Sequence, residues 1–454
     1  MRFAELAGKR VAVWGFGREG HAALAALQLR LPGRPVTLFC NEAEAPYGLA
    51  AHPAVRVVTQ APNAAALSNY DVVIKSPGIG AYRAEILDAQ HNGTHFTSGT
   101  ALWFAENPAA RVVAVTGTKG KSTVSALVAH LLRALGRRVA LAGNIGMPLL
   151  ELLDPSTQPD AWVVELSSFQ TREAGSLAVA LVNNVYEEHL DWHGTRERYV
   201  EDKLALAAVA RTLVVNARLD ELVARTAAHA DRRTFGDADG WHVDDGAILR
   251  GGEHVFDLAA SPLPGAHNAL NACAALAVVE ALGEDARAAA PAIATFRPLP
   301  HRLQALGAQG GIDYVDDSIA TTPQATLEAL ASLRGRAVSV LVGGHDRGLD
   351  WHAFADAVRR EPPHAIVTMG ANGARITALL RATAGAYALS SATTLADAFA
   401  LARAATPAGG VVLLSPGAPS FDQFKDYAER GCAFARLAGF DPAAIGRIEG
   451  LGIA

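Results

Sequence analysis

Three short apolar runs, each ending in glycine, constrain the fold of this chain more than any other feature of its sequence. They are residues 11–14 before Gly15, residues 112–115 before Thr116 and Gly117, and residues 338–342 before Gly343 and Gly344. Such a run is typical of a buried parallel strand that reaches its carboxyl end. Helical patterns separate these runs from the next apolar runs, so the sequence predicts parallel α/β sheets in three successive parts of the chain.

Breaks at proline divide the apolar runs into three groups. The chain has 454 residues, which at about 150 residues per domain predicts three domains. Pro108 and the Pro-Leu-Pro segment at 298–300 are the candidate boundaries. We therefore predict domains at 1–108, 109–298 and 299–454.

Each predicted domain contains alternating strand and helix patterns. The predicted strands are 10–14, 36–40, 55–58, 71–75, 138–142, 162–166, 179–183, 313–316, 338–342, 365–368 and 411–415, and the predicted helices are 19–30, 83–91, 121–135, 196–210 and 268–283. The polar region 230–262 predicts an antiparallel edge or a small insertion.

Composition excludes several classes of protein. With 40 Lys+Arg against 45 Asp+Glu the net charge is −5, whereas nucleic acid or an anionic membrane would require a basic excess. The 3 cysteines, Cys40, Cys273 and Cys432, lie far apart, which argues against a disulfide framework and fits a reducing compartment. The sequence predicts no signal peptide and no membrane span, so we expect a cytoplasmic protein.

The segment 116–123 reads Thr-Gly-Thr-Lys-Gly-Lys-Ser-Thr and is the strongest single motif. It follows a predicted strand and opens a predicted helix, as a phosphate-binding loop does. Lys121 would neutralise the β- and γ-phosphates, and Ser122 or Thr123 would hold Mg²⁺. Valine rather than glycine stands five residues before Gly120, so the loop is shortened. The alternative is an ordinary glycine- and threonine-rich turn.

A second glycine motif, Gly-Phe-Gly-Arg-Glu-Gly at 15–20, also follows a strand. Alone it is weak support for a dinucleotide site. It would equally suit the diphosphate of another nucleotide, or simply allow close packing of helix on strand.

Further polar residues follow strand ends in the central part of the chain. Glu165 stands where a Mg²⁺ ligand is needed near a phosphate loop, although an exposed strand-end charge is equally plausible from sequence. Acids and histidines cluster between Asn184 and His193, where a lone histidine is more often structural. Lys203 would ordinarily be a solvated helix lysine.

Together these motifs resemble those of the Mur ligases, in order and in spacing, over essentially the whole chain. They comprise Thr116 to Thr123, Gly143-Asn-Ile-Gly146, Glu165-Leu-Ser-Ser-Phe-Gln170, Asn184 with His189-Leu-Asp191, Lys203, His267-Asn268 with Asn271, His301-Arg302, Asp317-Ser318, and a terminal block from Leu414 to Phe434. The motifs are most similar to those of members that add glutamate to UDP-N-acetylmuramoyl-L-alanine in peptidoglycan precursor synthesis. The resemblance implies a three-domain α/β architecture with a Rossmann-like N-terminal domain, a central ATPase domain with the phosphate loop, and a Rossmann-like C-terminal domain.

The resemblance also implies a role for individual residues. The UDP substrate would contact Gly17, Arg18, Asn41 and Ser76 in the first domain, and its acyl part would contact Asn144, Ser168 and Gln170. ATP would bind Gly117, Thr118, Lys119, Gly120, Lys121, Ser122, Thr123 and Asn271, with Arg302 and Asp317 from the third domain. Mg²⁺ would be held by Ser122, Thr123, Glu165 and His189, with Lys203 carbamylated nearby. Glutamate would contact Arg347 and Ser415. The expected catalytic residues are Lys121, Glu165, His189 and Lys203.

The chemistry explains why such residues are needed. A carboxylate and an amine do not condense spontaneously in water, so the carboxylate must first be activated by the γ-phosphoryl group as an acyl phosphate. Two anions approach each other in that step, and Lys121 with Mg²⁺ would screen their repulsion.

Departures from the family's motifs lie where glutamate is expected. Ile319 replaces a lysine typical of the D-glutamate-adding members, Arg347 stands near where a lysine would meet the side-chain carboxylate, and Pro419 is an extra proline. These features are similar to those of members that add L-glutamate, whose product a separate epimerase inverts. The alternative is sequence drift in a D-glutamate pocket.

Other functions explain fewer of the motifs. A ligase resembling folylpolyglutamate synthase would lack the N-terminal domain. A nicotinamide-dependent dehydrogenase leaves the second phosphate loop unexplained, and a regulator without catalysis would not need Glu165, His189 and Lys203 beside it.

Overall fold

The computed structural model describes residues 1–52 and 55–454. It divides into two compact units, Met1–Phe296 with Gly450–Ala454, and Arg297–Glu449. The division into three domains with boundaries at 108 and 298 stays a prediction. In the described ranges no helix combines the length and hydropathy that a membrane crossing needs.

The first sheet is entirely parallel, with strand order β3-β2-β1-β4-β5. Its strands are β1 (Val11–Trp14), β2 (Val36–Phe39), β3 (Arg56–Val58), β4 (Val72–Lys75) and β5 (His95–Thr97). Its helices are α1 (Arg18–Arg30), α2 (Ala45–Ala51), α3 (Ala64–Leu67), α4 (Ala84–His91) and α5 (Gly99–Glu106). The chain leaves β1 in one direction and later returns on its other side as β4, so the crevice between their carboxyl ends is where α/β sheets bind ligands.

The second sheet runs in the order β14-β13-β12-β11-β10-β9-β6-β8-β7. Its strands are β6 (Val112–Thr116), β7 (Val139–Gly143), β8 (Ala161–Glu165), β9 (Leu177–Val182), β10 (Ala210–Asn216), β11 (Arg232–Phe235), β12 (Trp241–Asp244), β13 (Ala247–Arg250) and β14 (Glu253–Asp257). The helices are α6 (Lys121–Ala134), α7 (Leu190–His193), α8 (Arg196–Leu204), α9 (Asp220–Arg225), α10 (Ala266–Ala281) and α11 (Ala286–Ala289). The six strands β6 to β11 pair in parallel. Strands β12 to β14 form the antiparallel edge predicted for 230–262.

The third sheet lies in the second unit, with order β15-β16-β20-β17-β18-β19. Its strands are β15 (Gln304–Gln309), β16 (Ile312–Asp316), β17 (Val338–Val342), β18 (Ala365–Thr368), β19 (Ala388–Ser391) and β20 (Val411–Leu414). The helices are α12 (Pro323–Ser332), α13 (His352–Arg360), α14 (Gly373–Thr383), α15 (Leu395–Ala405), α16 (Tyr427–Leu437) and α17 (Pro442–Ile445). Only the edge pair β15–β16 is antiparallel among the described strand pairs of this sheet. A last strand, β21 (Gly452–Ile453), returns to the second sheet and pairs antiparallel with β7.

Short 3-10 helices lie before and between the strands and α-helices. They span Phe3–Leu6, Leu149–Leu152, Thr171–Glu173, Ala205–Ala208, Leu258–Ala260 and Ala290–Thr295. One of them corrects a prediction, because the helix expected at 196–210 ends at Leu204 and continues as the turn Ala205–Ala208 before β10 begins. The run of alanines and leucines there suits a helix and a buried strand equally, so its period could not separate them.

The core lies where apolar strands meet apolar helix faces. Every residue of β6 and β8 is buried. Trp103 of α5 stands at 4.7 Å, ring centroid to ring centroid, from Trp162 of β8, and both are fully buried. The predicted fold class, α/β with parallel sheets, is confirmed.

Candidate active site

The predicted phosphate loop is a tight turn between β6 and α6. Gly120 has a φ of +79°, a conformation that favours glycine. A Cβ atom on Gly120 would lie 2.5 Å from the Asn271 Oδ1 atom and 2.8 Å from the Asn183 Nδ2 atom. The N-terminus of α6 directly follows, and its backbone N–H groups form a site for an anion.

The two loop lysines have different surroundings. Lys121 folds back over the loop, and its Nζ atom donates to the carbonyl oxygens of Gly117 and Thr118, each at 2.9 Å. Lys119 points outward and pairs with Glu188 at 3.2 Å. Lys121 is therefore placed to meet a phosphate that enters the loop, whereas Lys119 is a half-exposed ion-pair partner.

Two asparagines after β9 hold the loop. Asn184 stands among the motif residues without an assigned role, and Asn183 was not identified from the sequence. The Asn184 Oδ1 atom accepts from the Lys119 backbone N–H at 2.8 Å, and both Asn183 and Asn184 donate to the Lys119 carbonyl. Asn183 also donates to the Asn271 Oδ1 atom at 3.0 Å. The predicted ATP contact Asn271 therefore packs against the loop itself. The sequence feature that could have identified both asparagines is their position directly after a buried strand.

Glu165 ends β8 and is almost completely buried. Its Oε1 atom accepts from the Asn144 Nδ2 atom at 2.6 Å. Its Oε2 atom is buried and finds no hydrogen-bond partner in the parts of the chain that the structure describes. A buried carboxylate oxygen without a donor is costly unless a cation or ligand satisfies it. The alternative of an exposed strand-end charge is therefore wrong.

His189 precedes α7 with a φ of 58°, an uncommon conformation for a residue other than glycine. Burial lowers the pKa of its imidazole; Lys121 and Lys203 lower it further, and Glu188 opposes them. The ring is thus neutral at pH 7, with a lone pair available to a metal ion or a substrate proton.

Lys203 is buried against the phosphate loop and is not a solvated helix lysine. Its Nζ atom donates to the Gly117 carbonyl oxygen at 2.8 Å and lies 4.9 Å from the centroid of the Tyr199 ring. Burial holds the pKa of the Lys203 amine well below its ordinary value, and the Lys121 charge lowers it further. A neutral amine is the form that can react with carbon dioxide to give a carbamate.

These residues suit a Mg²⁺ ion that arrives with a nucleotide. Among residues 1–52 and 55–454 there is no group of three or more His, Cys, Asp or Glu side chains able to hold a metal by itself. Mg²⁺ commonly binds through one or two carboxylates together with substrate phosphates and water. The unsatisfied oxygen of Glu165 beside the loop fits that mode of binding.

The first glycine motif combines close packing with an open position. Gly15 has a φ of +94°, and its Cβ would meet the Ser76 Oγ atom at 2.6 Å, while a Cβ on Gly20 would lie 1.9 Å from the Gly15 carbonyl oxygen. Nothing described lies within 4 Å of a Cβ on Gly17. The Ser76 Oγ atom is buried without a hydrogen-bond partner among the described residues. Gly15 and Gly20 thus serve packing, and Gly17 with Ser76 is the part left for a ligand.

Arg18 and Asn41 lie at the same end of the first sheet. Arg18 donates to the Gly146 carbonyl at 3.2 Å, which joins the glycine motif to the loop that carries Asn144. Asn41 accepts from the Glu44 backbone N–H at 2.9 Å and shapes the turn after β2.

Ser168 and Gln170 are buried in the loop after β8. The Gln170 amide donates to Thr100 at 3.1 Å and accepts from the Ser167 hydroxyl at 2.8 Å, so its polar atoms hold the loop. The Ser168 Oγ atom lies 3.0 Å from the His193 Nε2 atom.

In the second unit, three predicted residues come together after β16 and β20. The Asp317 carboxylate accepts from the Ser415 hydroxyl at 2.8 Å and from the Leu303 backbone N–H at 3.2 Å. Burial raises the pKa of Asp317 to about 7, although the nearby Arg302 lowers it. Ser415 is fully buried, so in this structure it supports Asp317 instead of facing an amino acid. Its predicted glutamate contact stays a prediction.

The raised pKa of Asp317 predicts a pH-dependent stability. Because the folded pKa is about 7 against an ordinary 3.8, the stability from this group is present below about pH 4 and is lost as the pH rises through 7. Asp317→Asn removes that titration. We expect urea unfolding to show that the free energy of unfolding of the variant, relative to that of the wild type, rises between pH 5 and pH 8 by on the order of 2–4 kcal/mol. Parallel stability curves would show that Asp317 titrates normally.

Arg347 lies in the exposed loop after β17. Its guanidinium carbon stands 6.0 Å from the centroid of the Phe421 ring. The His345 backbone N–H donates to the Pro419 carbonyl at 2.9 Å. Two of the three loops that carry the departures from the D-glutamate motifs, those of Arg347 and Pro419, are therefore attached to each other.

Comparison with known proteins gives the family. The Mur ligase middle domain matches residues 115–279, and the Mur ligase, glutamate ligase domain matches residues 301–417. A protein of Xanthomonas axonopodis pv. citri (strain 306), named UDP-N-acetylmuramoyl-L-alanine--L-glutamate ligase, is 54% identical over 468 residues, covering 100% of both chains. A protein of the same name from Salinispora tropica is 40% identical, covering 96% of this chain and 98% of the relative.

Solved structures show the same fold. The UDP-N-acetylmuramate-alanine ligase of Thermotoga maritima matches with a TM-score of 0.61 at 19% identity, covering 94% of this chain and 98% of that one. MurF ligase from Thermotoga maritima, solved in complex with ADP, matches with a TM-score of 0.58 at 16% identity. The match covers 97% of this chain and 96% of that one. The phosphate loop, the buried Glu165 and Lys203 beside it, and relatives alike along their whole length agree: the chain belongs to the Mur ligase family, with its α/β fold.

Proposed function

We propose that this chain joins L-glutamate to UDP-N-acetylmuramoyl-L-alanine at the expense of ATP, a step of peptidoglycan precursor synthesis. The names of relatives at up to 54% identity support the substrate pair. The observation that carries the proposal is the set of ionisable groups at the phosphate loop: Lys121 and Lys203 both donate to the Gly117 carbonyl, and the buried Glu165 pairs with the strand that leads into the loop and has an unsatisfied oxygen. A binding protein without catalysis would have no use for them.

We assign the three steps of binding to the three predicted domains. Residues 1–108 would bind the UDP moiety at Gly17 and Ser76, residues 109–298 would bind ATP, and residues 299–454 would bind the amino acid. The carboxyl ends of β1 and β4 form the crevice in which α/β sheets bind nucleotides.

In the first chemical step the substrate carboxylate would take the γ-phosphoryl group and become an acyl phosphate. Lys121 would neutralise charge on the phosphoryl oxygens, and the α6 N-terminus would bind the remaining phosphates. Bound Mg²⁺ would supply further charge neutralisation, held by Glu165 and His189 with Ser122 or Thr123. Carbamylation of Lys203 would turn a neutral buried amine into an anion that supports the metal site.

In the second step the glutamate amine would attack the acyl carbon, and phosphate would leave from a tetrahedral intermediate. The amine must be neutral to attack, and the departing phosphate or a water molecule can take up its proton.

L-glutamate is the enantiomer that the third-domain loops favour. Both enantiomers carry the same charges, so discrimination depends on where each carboxylate and the amine are held. Ile319 removes a cation from one place, and Arg347 offers a planar bidentate donor in another. The Phe421 ring beside Arg347 restricts the directions that the guanidinium can take. The product would then need a separate epimerase to give the D-glutamyl form.

Arg347→Ala should raise the KM for glutamate about 10- to 150-fold, because a charged hydrogen bond contributes about 1.5–3 kcal/mol. The KM for ATP should stay unchanged. The matched control is Arg334→Ala, which removes another exposed arginine of the same unit, one paired with Glu361. An equal loss of ATP and glutamate affinity in Arg347→Ala would remove Arg347 from the amino-acid site.

The proposed function is tested by ADP release with UDP-N-acetylmuramoyl-L-alanine and a panel of amino acids. We expect ADP release over many turnovers only when the nucleotide substrate, Mg²⁺ and glutamate are all present, because without glutamate the acyl phosphate would not be consumed. Ligation of an amino acid other than glutamate would overturn the substrate assignment. Absence of ADP release under every condition would overturn the ligase proposal.

A further inference from the structure

A chain of buried polar side chains ends at Ser168, the serine predicted to contact the acyl part of the substrate. His193, the last residue of α7, is fully buried. Its Nδ1 atom lies 2.6 Å from an Asp202 carboxylate oxygen, and its Nε2 atom lies 3.0 Å from the Ser168 hydroxyl. The Phe169 and Trp192 rings pack against the imidazole. Such close contacts fix the orientation of the ring.

The hydrogen-bond partners determine where the protons are. The Asp202 carboxylate can only accept, and it also accepts from the Tyr82 hydroxyl at 2.7 Å and from Arg172. The His193 Nδ1 atom must therefore donate to Asp202. Burial lowers the pKa of His193, against the opposing effect of Asp202, so the ring is neutral at pH 7 and its Nε2 atom accepts. The Ser168 hydroxyl donates its proton to Nε2, which leaves the lone pairs of its oxygen free to accept.

The same chain reaches the loop after β4. Tyr82 belongs to that loop, and its ring contacts Trp192 edge to face at 5.6 Å. The Trp192 Nε1 atom donates to the Pro77 carbonyl at 3.0 Å. The segment that orients Ser168 thus also holds the loop that begins at Ser76, where the nucleotide part of the substrate is expected.

We propose that His193 is a positioning residue that fixes the Ser168 oxygen as a hydrogen-bond acceptor for an amide N–H of the substrate's acyl part. This inference rests on the proposed function, because an N-acetylmuramoyl-alanine group supplies such amide donors. Ser168, His193 and Asp202 are also hydrogen-bonded in the Ser–His–Asp sequence of a hydrolase triad. A positioned acceptor and a nucleophile differ in whether Ser168 cleaves an ester.

The first experiment compares two replacements of His193. Asparagine can keep the donor to Asp202 but cannot reach Ser168, whereas glutamine can place an acceptor near the Nε2 position. We expect His193→Asn to raise the KM for UDP-N-acetylmuramoyl-L-alanine about three- to tenfold, as the loss of one hydrogen bond implies, with the KM for ATP unchanged. His193→Gln should restore most of the loss. Equal effects on both substrates would show a merely structural role.

The second experiment is a double-mutant cycle with Ser168→Ala. If His193 acts through Ser168, adding His193→Asn to Ser168→Ala should cost no further factor above about twofold. Fully multiplicative losses would overturn the inference. Hydrolysis of a nitrophenyl ester by the wild type but not by Ser168→Ala would also overturn it, in favour of a nucleophilic serine.

A third measurement does not depend on the folding of a His193 variant. Nitrogen NMR of ¹⁵N-histidine in the wild-type protein should show His193 neutral and protonated at Nδ1, with the Nε2 resonance shifted in Ser168→Ala. Protonation at Nε2, or at both nitrogens, would contradict the proposed direction of the Ser168 bond. Failure of the proposed function is distinct, because the wild type would then not ligate glutamate at all.

Discussion

Lys121→Ala should lower the rate of ADP formation by about 100- to 1000-fold, the cost of removing one preorganised charge or donor from a transition state. The lysine reaches back to the Gly117 and Thr118 carbonyls, over the space that the β- and γ-phosphates would enter. Its charge is needed most while the γ-phosphoryl group moves between two anions. Because the side chain is only partly buried, its removal should leave the melting temperature nearly unchanged.

Lys119→Ala is the matched control for Lys121. It removes a lysine from the same loop, but one that pairs with Glu188 and is about half exposed. We expect less than about a tenfold change, since exposed ion pairs contribute little. Equal losses in both variants, or normal turnover of Lys121→Ala, would remove the phosphate-loop assignment. Single-turnover formation of ADP is the suitable readout, because it isolates the chemical step.

Lys203→Ala should lower turnover about 100-fold if the carbamylated lysine supports the metal site, the upper range for residues that act on metal ligands. The unmodified lysine is a poor candidate for any charged role, because burial and Lys121 both disfavour its protonated form. The carbamate instead places an anion near Glu165 and Lys121.

Small carboxylates should restore part of the activity of Lys203→Ala. Formate or acetate could enter the space left by the side chain and replace the carbamate charge. Chloride at equal ionic strength is the control, and neither salt should stimulate the wild type. Mass spectrometry under carbon dioxide should show the modification directly. Absence of rescue together with an unmodified Lys203 would leave the residue as a neutral donor to the Gly117 carbonyl.

Local patterns predicted the sheets and the phosphate loop because both depend on neighbours in the sequence. The apolar run 112–115 and the loop after it form one strand–turn–helix unit. Local pattern was not sufficient at 196–210, where the predicted helix ends early and an alanine-rich run forms a turn before β10. The strand β21 could not be predicted, since its two residues gain their pairing only from β7.

The site was harder to predict where function depends on distant contacts. His193 acquires its role from Ser168, 25 residues earlier, and Asp202 from Tyr82, 120 residues earlier. Sequence reasoning favoured the structural interpretation of a lone histidine, and no local spacing distinguishes the two. The burial of Ser415 and of the Gln170 amide is equally invisible in sequence, because it follows from how loops pack after folding.

Ligation with L- and D-glutamate at equal concentration tests the amino-acid choice most directly. UDP-N-acetylmuramoyl-L-alanine, ATP and Mg²⁺ are supplied in excess, and the product is hydrolysed for chiral analysis of its glutamate. We predict faster ligation of L-glutamate, by about 10-fold or more, since one misplaced charged contact costs about 1.5–3 kcal/mol. Faster ligation of D-glutamate would contradict it and identify an ordinary D-glutamate pocket.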